Sequence, residues 1–83
     1  MTVEEKVEGL VKYLVTSIVD DKEAVSFETV VDDSGDITVN VKVAEDDIGH
    51  IIGKDGHIIK SIRTLSRACA TKDDVHVDVE ILD

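Results

Sequence analysis

Residues Ile51-Ile52-Gly53-Lys54-Asp55-Gly56-His57-Ile58-Ile59 place two glycines three apart between apolar pairs. A connection this short, with no Cβ at either end and polar residues between, opens backbone conformations closed to other residues. It also lets a bulky anion approach the main chain. A helix starting near His57 would open with unpaired N–H groups and a partial positive charge, the arrangement that holds a phosphate oxygen. The nonapeptide therefore points to nucleic acid.

Downstream, residues from His57 to about Ala70 read as an amphipathic helix, with Ile58, Ile59, Ile62, Leu65 and Cys69 on one side and Lys60, Arg63 and Arg67 roughly opposite. One face would pack and the other would bind. Upstream, a short helix over Ile48 to Ile52 stops at Gly53, with Asp46 or Asp47 as its N-cap. Before it, a strand over Val25 to Val31, the turn Asp32-Asp33-Ser34-Gly35, and the alternation of Ile37, Val39, Val41 and Val43 with Thr38, Asn40 and Lys42 predict a β-hairpin. At the start, Thr2 and Glu5 have capping-box spacing, and Val7, Leu10, Val11, Leu14, Val15 and Ile18 follow at helical intervals. The opposite face of that helix is Glu-rich, which directs its stripe to the protein's own sheet rather than to a membrane surface. Finally Val75, Val77, Val79 and Ile81 alternate with His76, Asp78 and Glu80 as a third strand.

The order is αββααβ. The two-helix connection is long enough for a crossover, so the second and third strands can lie parallel while the first two form an antiparallel hairpin. The expected fold is α+β: a two-layer sandwich with a three-stranded mixed sheet covered on one face by three helices.

The 83 residues suit one domain spanning 1–83, and a sequence without Pro, with 42% hydrophobic residues spread evenly, suggests no linker or tail. Cys69 has no intrachain partner, and no apolar run approaches the ~18 residues of a membrane span. Glu4, Glu5 and Glu8 stand where a signal peptide would be basic, so a cytoplasmic location is expected. The net charge of -10 opposes a polyanionic partner. Its distribution does not: His50 to Lys72 carries Lys54, Lys60, Arg63, Arg67 and Lys72 against Asp55, a local +4 beside the glycines, while the rest carries -14. Such a body would repel a polyanion nearly everywhere and accept it at one face.

Enzyme chemistry finds little support. No Ser/His/Asp grouping is suggested, Cys69 lies on an apolar helix face, and His50, His57 and His76 are too scattered for a metal set. The glycines lack the longer P-loop pattern, so no NTP, metal or other cofactor is expected. With Phe27 and Tyr13 as the only aromatics, recognition cannot rest on stacking platforms. Tyr13, on the outer side of the first helix, is the one aromatic placed to mark a partner surface.

Element order and glycine loop together resemble the KH domain of type II arrangement, in particular the small bacterial RNA-binding proteins of the KhpA family. The likeness spans the chain and includes Lys60-Ser61-Ile62-Arg63-Thr64-Leu65 after the loop. It implies binding of about four single-stranded nucleotides, with the loop clamping the backbone and bases in an apolar groove. On that resemblance Gly53 and Gly56 admit phosphates, Lys54 supplies a cation, N–H groups near His57 donate, Ile52 and Ile59 line the groove, and Lys60, Arg63 and Arg67 reach flanking phosphates. Asp55 and His57 depart from the family pattern; a carboxylate a few ångströms from a phosphate is unfavourable by about 1 kcal/mol in water-like surroundings. Asp55 escapes that conflict by pointing outward or by capping the following helix. The resemblance further implies an RNA chaperone or post-transcriptional regulator tied to cell elongation, cell shape and wall organisation. Its expected partners are a second copy or a larger KhpB-type protein. The alternative is a protein-interaction or dimerisation module that keeps the KH fold with little affinity for RNA.

Overall fold

The computed structural model describes residues 1–82, with α1 (Val3–Ile18), β1 (Ser26–Val31), β2 (Ile37–Lys42), α2 (Ile48–Ile52), α3 (His57–Cys69) and β3 (Val77–Leu82). Single 3-10 turns occupy 22–24, 45–47, 54–56 and 71–73. α1 starts through the expected reciprocal cap: Glu5 N–H donates to the Thr2 hydroxyl at 3.1 Å, and Thr2 N–H donates to the Glu5 carboxylate at 3.0 Å. These bonds from Thr2 hold the Glu5 carboxyl below its ordinary pKa. Val7, Val11 and Val15, each four residues on, are fully buried, while Leu10, Leu14 and Ile18 flank them half-buried.

The sheet has the order β1-β2-β3. β1 and β2 pair antiparallel with Val31 opposite Ile37, and β2 and β3 pair parallel with Ile37 beside Val77 and Val39 beside Val79. This is the mixed sheet and the αββααβ order of the type II KH fold. Ile37, Val39, Val41, Val77 and Val79 point into an all-aliphatic core with α1, Ile51, Ile59 and Ile62. Burying one such side chain is worth roughly 1.5–3 kcal/mol of transfer free energy. The hairpin turn is shaped by Asp32, whose carboxylate accepts from Ser34 N–H at 2.8 Å and Asp36 N–H at 3.0 Å, with Gly35 at φ 88°. β3 starts at Val77 rather than Val75, because a 3-10 turn and a left-handed Asp74 (φ 53°) still occupy the chain just before it.

Two expectations change in packing. Asp47 is the N-cap residue of α2, yet its side chain makes no cap bond. Instead Asp47, only 2% exposed, accepts Asp20 N–H and Asp21 N–H at 3.0 Å on its two carboxylate oxygens and faces His50 Nδ1 at 3.1 Å. It thereby ties the end of α1 to the start of α2. The backbone bonds from Asp20 and Asp21 lower its carboxyl pKa. On α3 the buried arc runs through Ile59, Ile62, Ser66 and Ala70, so Ile58 and Leu65 are exposed rather than core. Ser66 takes the place of an apolar residue because its hydroxyl donates to Ile62 O at 2.7 Å and so is not buried unpaired.

Candidate nucleic-acid interface

α2 is only five residues long and ends because Gly53 turns the chain to φ 74°, ψ 177°, a region essentially reserved for glycine. Ile58 packs directly over Gly53: a Cβ there would lie 2.9 Å from Ile58 Cβ and 3.0 Å from Ile58 N. Gly53 is thus demanded by its neighbour as well as by its dihedrals. Gly56 is left-handed (φ 75°, ψ 16°), but the space beside it is open, with only Lys60 Cε at 3.9 Å. Between them Asp55 is also left-handed at φ 56°, ψ 22°. A short polar side chain tolerates that region better than most.

The loop spends several of its own amides internally. Gly53 N–H donates to Gly49 O at 2.9 Å, Gly56 N–H to Gly53 O at 3.2 Å, and His57 N–H to Lys54 O. His57 N–H, among the expected phosphate donors, is thus already used within the loop. Lys54, Asp55 and His57 are exposed, and no side chain caps α3, so Asp55 does not serve as its cap.

Of the two apolar residues expected beside the loop, Ile52 is 39% exposed whereas Ile59 is in the core at 7%. Ile58 and Leu65, at 37% and 49%, supply the exposed apolar surface instead. Leu65 helps line a shallow cleft of about 380 Å³ with His57, Lys60, Ser61 and Thr64. Lys54 and Lys60 make no ion pair among the described residues and are the cations nearest the glycines.

Arg63 and Arg67 do not project freely into solvent. Arg63 Nε donates to Val79 O at 3.0 Å and Arg67 Nε to Val77 O at 3.1 Å, while Asp78 Oδ1 lies 3.5 Å from Arg63 Nε and 3.7 Å from Arg67 Nη2. Asp78 also accepts Val79 N–H at 2.9 Å. Because β3 is an edge strand whose Val77 and Val79 carbonyls point away from β2, these three side chains cover its outer rim. Sequence reasoning did not find Asp78. Its signal was a carboxylate between two alternating valines, opposite arginines spaced four apart.

A mixed sheet backed by three helices, with a Gly-x-x-Gly turn joining the two helices of the crossover, defines a type II KH domain. Residues 8–81 match the family model described as KhpA/KhpB, KH domain, so the chain belongs to that family. Similar curated proteins include the RNA-binding protein KhpA of Borreliella burgdorferi, 38% identical over 89% of this chain and 89% of that one. That of Chlamydia trachomatis serovar D is 42% identical over 86% and 90%. That of Caldanaerobacter subterraneus subsp. tengcongensis is 40% identical over 88% and 96%. These relatives are named for binding, not for a reaction. Among solved structures, Era in complex with MgGDPNP and nucleotides 1506–1542 of 16S ribosomal RNA superposes with TM-score 0.61 at 15% identity, over 99% of this chain and 32% of Era. The likeness to Era is one of fold. Among the described residues no helix is long and apolar enough to cross a membrane.

Proposed function

We propose that the chain binds single-stranded RNA, holding about four nucleotides with the backbone passing over Gly53 to Gly56 and bases against Ile52 and the face of α3. What carries this reading is family membership across residues 8–81 joined to an exposed Gly-x-x-Gly loop whose nearest cations, Lys54 and Lys60, are unpaired among the described residues. The curated relatives are named as RNA-binding proteins, which supports extending the activity here. Binding is weak, because Asp55 sits in the loop and because Arg63 and Arg67 are partly committed to β3. The finer role is that of a cytoplasmic RNA chaperone or post-transcriptional regulator acting with a second copy or a KhpB-type partner. It follows from the family resemblance, and pairing would raise affinity through effective concentration.

Lys54→Asp, which sets two carboxylates side by side in the loop, tests the site: folding is retained and RNA retention on filters is lost. Unchanged retention rejects the loop as the site. A second reading, a docking module for protein, draws on the exposed Ile58 and Leu65 beside the loop. An RNA affinity that does not change with salt would favour it.

A further inference from the structure

Arg67 stands at a cleft of about 280 Å³ bounded by Thr71, Asp74, Val75, His76 and Val77. Arg67, His76 and Val77 also line a wider cleft together with Asp32, Asp36 and Asp78. Arg67 Nε is used on Val77 O and Nη2 lies 3.7 Å from Asp78 Oδ1, so the outer N–H groups of Nη1 and Nη2, a parallel pair of donors, are what the guanidinium has left for an entering group. A phosphate is a poor occupant, since one fixed cation is surrounded by four carboxylates. A base with acceptors on one edge and donors on the other is a good one. Guanine has O6 and N7 adjacent on its Hoogsteen edge and N1–H beside the N2 amino group on its Watson–Crick edge, matching an arginine fork and a carboxylate together.

We propose that this cleft reads guanine, with the Arg67 Nη pair donating to O6 and N7, Asp74 accepting from N1–H and the N2 amino group, and Asp78 holding the arginine in place. Asp74 suits that role: it is exposed and makes no ion pair among the described residues. Arg67 lies ten residues into α3 from His57, about 15 Å along the helix axis. Four bases stacked at about 3.4 Å span only about 10 Å from first to last, so a strand clamped at the loop delivers its last base here when it is stretched beyond full stacking. The inference deepens the RNA-binding reading and rests on it.

The test is fluorescence anisotropy with U-only octamers carrying one guanosine, 7-deazaguanosine, inosine, adenosine or cytidine at a shared position. Guanosine binds roughly tenfold tighter than the other natural bases, and removal of N7 or of the N2 amino group each cancels most of that gain. Arg67→Gln, checked for fold by amide NMR, compresses the guanosine-to-uridine ratio to within about twofold. If that variant fails to fold, the base analogues decide alone. Measurable binding with equal affinity for all octamers overturns the guanine assignment and leaves RNA binding standing. No binding to any octamer overturns both.

Discussion

Replacing either loop glycine by alanine separates what the backbone requires from what the packing requires. At Gly53, φ 74° and ψ 177° lie where a residue with a Cβ is strained by about 1–3 kcal/mol. The new methyl would also meet Ile58 Cβ at 2.9 Å and Ile58 N at 3.0 Å, which forces the first turn of α3 to shift. Overpacking of that kind costs a further 1–3 kcal/mol or so, giving about 2–6 kcal/mol in all. At Gly56 the left-handed backbone costs about 1–2 kcal/mol, the space is open, and reduced freedom of the unfolded chain returns about 0.4–1 kcal/mol. A net loss near 1 kcal/mol remains. A chain of 83 residues has a total stability of order 4–12 kcal/mol. At ~4–8 °C per kcal/mol, Gly56→Ala lowers Tm by about 5 °C and Gly53→Ala by 10 °C or more. Urea and thermal unfolding followed by circular dichroism measure both. Equal losses for the two variants would refute the steric argument at Ile58.

The Asp47 carboxyl titrates below its ordinary value because Asp20 and Asp21 N–H groups stabilise the anion. Its stabilisation is therefore complete above the unfolded pKa of about 3.9 and disappears as pH falls through the lower folded value. Asp47→Asn is accordingly less stable at pH 7 and shows a shallower loss of stability below about pH 4, read from urea midpoints across pH. Glu8, whose carboxyl is lowered by the Thr29 hydroxyl and then by Lys12, titrates in the same direction, so the variant keeps part of the acid limb. If two to four phosphates are engaged, log K against log salt for a single strand has a slope of roughly -1.4 to -2.8, and a flat plot speaks against phosphate contact. Arg63→Ala frees Val79 O and lowers stability by roughly 1 kcal/mol, checked by urea unfolding; an unchanged midpoint would mean the bond contributes nothing.

What was legible in the sequence was whatever depends on residues close along the chain. The Thr2 and Glu5 cap, the valines of β2 and the break at Gly53 each follow from a local period or a local steric rule. The path from β2 to β3 was long enough to allow a parallel pairing, which the sheet adopts. Contacts between distant segments were hidden. Nothing local distinguishes Asp47 from Asp46, yet one of them reaches back 27 residues to a turn at the end of α1. Ser66 reads as surface until its hydroxyl is seen to close on its own helix. Arg63 and Arg67 read as free cations because their acceptors, two carbonyls of a strand ten to sixteen residues away, carry no signature in residue type.

The side chains along β3 have a bearing on assembly. With Val77 and Val79 already supplied with partners, a visiting β-strand finds little to bond on that margin, and sheet-to-sheet joining of two copies is discouraged there. The opposite margin, β1, ends in exposed Val30 and Val31 and would be the adhesive side, but it runs straight into Asp32 and Asp33. Because the flanking strand carries Glu28 as well, a head-to-tail duplicate laid along it would bring acid against acid. The acidity that disfavours RNA over most of the surface thus also guards this small protein against polymerising through its sheet.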